Sequence, residues 1–514
     1  MTSHFTIQFN KKLYTTLLAS SFVVFANQAA SETGELTTDS SNVIFSDNAV
    51  APVSFWDITQ IFATVPYEII DGPVVVETAT GTSNTSPFVV GSSAVSDANN
   101  PSLITDTPTG DMLTATGEIL ENTRWSEPLV LTGDITIPQG FTLIIDPGVT
   151  IYFDPKGDDQ ASGFWPDKVE INVEGTLIAK GTVEDPIQFA SYGPSPAPGD
   201  WGGIIIRQNS TESSISHCMI SHAKSGIRFG DFKTGGGSIS GHVSHCIFQR
   251  NETGIHMSRG PWYPYGGTLI VNPIIENSLI RGNSEYGIYI QSFVGYGTAR
   301  NEALIQNNNI IKNGTGVAIK SGTWWLGHTE VVPSLISNSI RDNHVDGLYI
   351  SAAGSSDWSG SDTDVRPIVE NNLLANNGNS NISLMFNPMG SDGTQSLAPV
   401  VRYNTIINAR DGIHIEDTEP YDTMNPTIDH NVFYKWCGYA VNNLTDRPIV
   451  AQSNYWGNTE AAWDTGPLPS DTNGNVDTDN HLDSLSAPIL TRIEPAAGQP
   501  GDAVTLWGAN FGRY

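Results

Sequence analysis

Cysteine, basic residues and long apolar runs are all scarce in this chain. With 3 Cys in 514 residues, a disulfide framework is excluded. The 24 Lys+Arg stand against 54 Asp+Glu, a net charge of −30. Clustered bases that could grip a phosphate backbone are therefore missing, and nucleic acid is excluded as a partner. The same imbalance disfavours an anionic membrane surface. The longest early apolar stretch, Leu13 to Ala26, is broken by Thr15, Thr16, Ser20 and Ser21 and falls short of the roughly 20 residues a spanning helix needs. No later segment could span a bilayer. What remains to hold the fold is apolar burial, hydrogen bonding or bound ions.

Lys11 and Lys12, the apolar run behind them and the small residues through Ala30 follow the order of a secretory signal peptide. The expectation is cleavage near residue 30 and an exported protein at the cell surface, outside the cell or in the periplasm. Between Lys12 and Arg124 there is no Lys or Arg, and that stretch carries 13 of the net negative charges. Residues 31–116 read as an acidic, Ser/Thr-rich N-terminal region or linker without clear periodicity.

At about 100–200 residues per domain the length suggests three or four globules. The repeats say otherwise. ISHCMI (215–220), VSHCIF (243–248), IENSLI (275–280), IQNNNI (305–310), ISNSIR (336–341), VENNLL (369–374), VRYNTI (401–406) and IDHNVF (428–433) recur at about 30-residue intervals. Most are followed by a Gly and a short alternating strand: GIRF, GIHM, GIYI, GVAI, GLYI and GIHI, starting at Gly226, Gly254, Gly287, Gly316, Gly347 and Gly412. Near Ile382 the Gly is missing but the alternation persists. Period-2 strands at a fixed interval predict stacked coils that share one core. One position per repeat is Asn or Cys: Cys218, Cys246, Asn277, Asn308, Asn338, Asn371, Asn404 and Asn431. Asn tolerates a bent coil corner and can hydrogen-bond to its equivalent one coil away. Cys218 and Cys246 then pack as small buried residues, and Cys437 has no partner.

These segments resemble right-handed parallel β-helix proteins of the pectin-lyase-like fold over residues 117–460. GEILENTRWSEPLVLTGDITIPQGFTLIIDPGVTIYF (117–153) is similar to the first coils of secreted members. VEGTLIAKGTVEDPIQFAS (173–191) and GDWGGIIIR (199–207) are similar to the next coils, and SNYWGN (453–458) to a closing signature. The resemblance implies an all-β solenoid of three parallel sheets. Residues 488–514 resemble the opening strands of an IPT/TIG immunoglobulin-like domain through Ile493, Pro495, Gly498, Gly501, Val504, Leu506, Gly508, Phe511 and Gly512. A sandwich needs about 100 residues, so this reads as a truncated domain behind an acidic linker at 461–487. Within that linker Asp471, Asn473, Asn475, Asp477 and Asp479 alternate like oxygen ligands for Ca²⁺, without EF-hand spacing; a solvated acidic linker fits them better.

Alternation in the GIxIx strands turns the Ile, Val and Leu positions inward and their neighbours outward. The first outward row is Arg228, His256, Tyr289, Ala318, Tyr349, Ser383, His414. The second is Gly230, Ser258, Gln291, Lys320, Ser351, Met385, Glu416. Arg259, Trp262, Trp324, Trp325 and Trp358 lie in the loops that follow. Aromatic rings stack on sugar C–H faces, and a cation offsets a uronate or sulfate, so this face is the expected substrate-binding surface. Beside a purely structural stalk, two functions are open. One is binding of a polysaccharide or another extracellular surface without turnover. The other is a lyase or glycoside hydrolase on an acidic glycan, with His256, Lys320 or Glu416 as proton-transfer candidates and paired carboxylates drawn from Asp357, Asp362, Asp364, Glu416, Asp417, Glu419 and Asp422. No lyase or hydrolase motif matches residue for residue.

Overall fold

The computed structural model describes residues 41–56, 60–66, 69, 72–79, 81–90, 112–230, 235–257, 260–261, 266–353, 362–386, 394–417, 423–457, 471–482, 488–494, 497–498 and 501–509. The signal-peptide segment and the side chains of Trp324 and Trp325 lie outside the described residues, as do Arg259, Trp262, Asp357, Trp358, Glu419 and Asp422.

From Leu113 to Leu482 the chain winds as a parallel β-solenoid. Its first sheet has eleven strands in strict sequence order, from Thr123–Trp125 to Thr427–Asp429. At about 4.8 Å per strand the stack is roughly 50 Å long. The second sheet runs through Leu279–Arg281, Asn309–Ile311, Ser339–Arg341 and Leu373–Ala375, and the third through Thr253–Met257, Leu348–Ala353 and Asp411–Asp417. In the middle coils the third-sheet strands run on, so that Tyr286–Asn301 and Thr315–Val331 pair along most of their length. Their returning halves build a fourth wall with Thr268–Val271, Asp362–Val365 and Thr394–Leu397. That wall is additional to the three sheets the sequence implied. No α-helix occurs among the described residues, and none of their helices is long and apolar enough to cross a membrane.

The interior is filled by the inward Ile, Val, Leu and Phe of every coil and includes the stacked Phe153–Trp201 and Phe433–Trp456 pairs. Two corners carry buried Asn ladders. At the first, Asn338, Asn372, Asn404, Asn431 and Asn454 each accept the backbone N–H and side-chain N–H of the Asn one coil before, and Asn308 accepts the Ser278 backbone N–H. Cys218 and Cys246 continue this column as buried free thiols, while Cys437 is exposed. The sequence reading placed Asn277 and Asn371 in the column; Ser278 and Asn372 hold it instead. Asn277 and Asn371 are the left-handed corner residues just before it, at φ 49° and 56°. The second ladder, Asn251, Asn283, Asn313, Asn343 and Asn377, was not anticipated. The glycine opening each third-sheet strand has a packing cause. A Cβ on Gly316 would meet the Gly347 carbonyl oxygen at 2.5 Å, and one on Gly287 the Gly316 oxygen at 2.6 Å.

Both ends of the chain depart from expectation. Residues 42–90 supply strands, and those strands pair with the C-terminal segment. Val53–Trp56, Gln60–Thr64, Ala503–Ala509 and Ile489–Glu494 form one antiparallel sheet in that order. Asn42–Ile44, Gly72–Thr78, Ser86–Val90 and Ala497–Gly498 form another. Fourteen buried residues from the two segments share a core separate from that of the solenoid. The C-terminal strands are thus not a stub without a partner sheet. Likewise 471–482 is not a free linker: Thr472–Asn473 and Val476–Asp477 extend the last coil.

Candidate functional site

The third-sheet register brings the expected outward row together in order: Arg228, His256, Tyr289, Ala318, Tyr349, Ser383, His414, then Asn442. Gln291, Lys320, Ser351, Met385 and Glu416 form the row beside it. Backbone alternation fixes both rows, which is why the sequence sufficed. It could not say which members are covered.

The first part of the row is closed. Arg228 is 2% exposed and His256 8%. The Arg228 guanidinium lies 4.2 Å from the Phe164 ring and 5.6 Å from Trp165, both on the loop before Glu170–Val173. Arg228 Nη1 is 2.7 Å from His256 Nδ1. A guanidinium can only donate, so Nδ1 accepts and the imidazole proton sits on Nε2. Buried and already accepting at Nδ1, His256 is a poor proton acceptor for a ligand, and Arg228 is not presented to one.

The covering loop is anchored by buried acids. Glu170 accepts the Phe164 and Trp165 N–H groups at 2.8 and 2.7 Å, while Asp134 accepts the Glu170 N–H at 2.8 Å and the Ser162 hydroxyl at 2.9 Å. Burial pushes the Glu170 carboxyl up to about 8 and Asp134 to about 6. Gly163, at φ 73°, passes so close that a Cβ there would fall 2.5 Å from an oxygen of each acid.

The middle of the row is half-buried and differently built. Lys320 Nζ donates to Tyr286 Oη at 3.0 Å and lies 5.2, 5.6 and 5.3 Å from the rings of Tyr286, Tyr289 and Tyr349. Tyr286 and Tyr289 stack at 4.5 Å. Among the described residues no carboxylate forms an ion pair with Lys320. Three rings fix the ammonium by cation–π attraction without neutralising it. Gln291 is its register partner one coil earlier.

At the far end His414 sits between two acids, with Nδ1 3.2 Å from Asp411 and Nε2 3.5 Å from Glu416. The hydrogen bond to Asp411 leads in raising the His414 pKa, against burial. Burial alone would raise Asp411, but His414, Asn442 and the Tyr439 N–H hold it below the usual range. Two strand positions earlier in the stack, Asp346 is raised by burial and accepts the Ser380 N–H at 3.1 Å. Tyr286, Asp346 and Asp411 were missed by sequence reading. All three occupy the position just before the strand glycine, or its equivalent, in YGIYI, DGLYI and DGIHI, so the signal was one residue upstream of the motif.

Other candidate acids are already engaged. Asp417 pairs with Arg447 at 3.1 Å and Asp364 with Arg366 at 2.7 Å, while Asp362 lies 3.8 Å from His328. The proposed Ca²⁺ ligands are distributed along the closing coil. Asn473 donates to Asn442, Asp477 accepts from Gln452 and from the Asp479 N–H, and backbone oxygens of Asp471 and Asn475 complete the coil. Among the described residues no group of three or more His, Cys, Asp or Glu is placed to hold a metal ion.

Residues 117–240 match the family described as a pectate-lyase-like β-helix domain, and residues 271–455 the one described as a right-handed β-helix region. The fold is a right-handed parallel β-helix. Neither a curated protein nor a solved structure matches the chain. The pectate-lyase-like match points to a polysaccharide-related protein.

Proposed function

We propose that this chain is an exported β-helix protein that binds an acidic polysaccharide along the outward face of the third sheet, centred on Lys320. One observation carries the reading: a half-buried ammonium held against three tyrosine rings, without a carboxylate partner among the described residues, in a chain of net charge −30. An anion is the complement that site lacks. A uronate or sulfate would pair with Nζ while Tyr349 offers a ring face to the sugar. The N-terminal leader fits export. The terminal module, whose C-terminal strands resemble an IPT/TIG opening, acts in this reading as a contact module beside the solenoid.

The test is retention on immobilised pectin, alginate and a sulfated galactan at low and high salt. Lys320→Ala is expected to weaken retention at least tenfold, and Lys320→Arg to keep part of it because the charge remains. Wild-type protein that is retained on none of them, or an alanine variant that binds as well, would defeat the reading.

A second reading is turnover of the same glycan, favoured by the Asp411–His414–Glu416 arrangement. His414, whose pKa is raised by its acids, is placed as a proton donor. Unsaturated uronates or new reducing ends that appear with wild type and vanish in His414→Gln would establish it.

A further inference from the structure

The C-terminal segment behaves as a ligand of the rest of the chain. Ala503–Ala509 is an inner strand, paired with Gln60–Thr64 from Gln60↔Trp507 to Thr64↔Ala503 and with Ile489–Glu494 on its other side. Its apolar face places Leu490, Ile493, Val504 and Leu506 among Val43, Phe45, Ile61, Val74, Val76 and Phe88. Asn84 closes the seam with two hydrogen bonds to the Leu490 backbone, at 2.7 and 2.9 Å. The segment also docks on the second sheet of the solenoid. Ile489 packs with Leu373, Ala375, Ile407 and Tyr434, and the buried Arg341 donates to the Ile493 carbonyl at 3.2 Å.

These contacts are non-covalent, and neither segment contains a cysteine. The solenoid core holds no residue from either. Losing the segment would therefore leave the solenoid closed but expose an acceptor of unpaired strand edge and apolar surface. Such a surface accepts an identical segment from any copy with the same contacts, so exchange alters only the cost of association.

We propose that residues 488–509 are an exchangeable strand donor, and that the acceptor formed by residues 42–90 and the second-sheet flank takes this segment from a second copy of the chain, giving a reciprocally exchanged dimer. The inference stands independently of any glycan. Phe62 and Thr505 are register partners across the seam, and Phe62 is 38% exposed. Opposed residues of an antiparallel pair lie about 4.5–5.5 Å apart at Cα, within disulfide reach.

The experiment uses the full chain in a Cys437→Ser background, which removes the exposed thiol. Phe62→Cys and Thr505→Cys in one chain should cross-link within that chain and leave its mass monomeric. When the two substitutions are carried by separate chains, mixed at high concentration, warmed short of solenoid melting and cooled, a covalent heterodimer should form on oxidation. Adding Leu506→Asp to the Thr505→Cys chain should suppress that heterodimer at least tenfold, because the donor is damaged. Adding it to the Phe62→Cys chain should raise the yield, because that acceptor is vacated. A same-chain link with no heterodimer at any concentration overturns the proposal. Failure of the same-chain link also overturns it, since the seam itself would then not exist.

Discussion

Asn338 accepts two hydrogen bonds from Asn308 and donates to Asn372 and to the Ile305 carbonyl, with no exposed surface. Every polar atom of that amide is used, and each neighbour depends on it. Asn338→Ala strands the Asn308 backbone N–H in a dry corner, while the Asn308 side-chain NH2 keeps the Ile275 and Gln306 carbonyls. A loss on the order of 1–3 kcal/mol in denaturant unfolding is expected, the cost of one unmet buried group. The adjacent corner residue Asn307 has φ 54°, a backbone need that glycine meets, so Asn307→Gly should change stability by less than about 1 kcal/mol. The sequence displayed an Asn in nearly every repeat but not which of two adjacent positions turned inward. In IENSLI and VENNLL the inward slot and the left-handed slot are neighbours, and both accept Asn or Ser for different reasons. The inward and outward rows of the GIxIx strands carried no such ambiguity, because alternation alone assigns them.

At the scale of elements, the loop that covers Arg228 was invisible to periodicity because it has none. What fixes it is the Glu170–Asp134 pair, and that pair makes its hold depend on pH. The folded Glu170 carboxyl keeps its proton to about 8, against 4.5 as the ordinary value. Between those limits the unfolded chain has released the proton and the folded one has not, so stability falls as pH rises. Asp134 acts in the same sense from 3.8 to about 6, with Asp158 and Arg207 as the other charges facing the pair. His222 and His245, lowered by burial to about 4, oppose this below 6.5. Above 6.5 their contribution is flat, while His414, raised by Asp411, adds to the decline. The quantity to measure is therefore the difference between wild type and Glu170→Gln from pH 6.5 to 8. The variant should lose less stability across that window, by on the order of 1–2 kcal/mol at a limiting slope of about 1.4 kcal/mol per pH unit. Identical slopes for the two proteins would mean that Glu170 is ionised in the folded state.

The whole molecule couples one long solenoid to one small module built from both chain ends. The solenoid was legible in the sequence because each repeat restates its neighbour's pattern, whereas the module has no repeat. Its strands are short, and its pairing partners Ile61 and Leu506 are separated by nearly the entire chain, so no local pattern joins them. A module of that size buries little and is marginal by itself; its docking on Leu373, Ile407 and Tyr434 compensates, and hides those side chains from water. The two bodies should therefore respond separately to damage. Leu506 is fully buried, and an aspartate in its place sets an unpaired charge into the smaller core, a change of about 4 kcal/mol or more. Leu506→Asp should open the module, make residues 42–90 sensitive to brief proteolysis and raise binding of a hydrophobic dye at the bared flank. Strand content and the main thermal transition should stay within a few degrees of wild type, because the solenoid core contains no module residue. If the solenoid transition instead fell with the module, the two cores would be one cooperative unit, and the segment could not leave one copy for another without unfolding it.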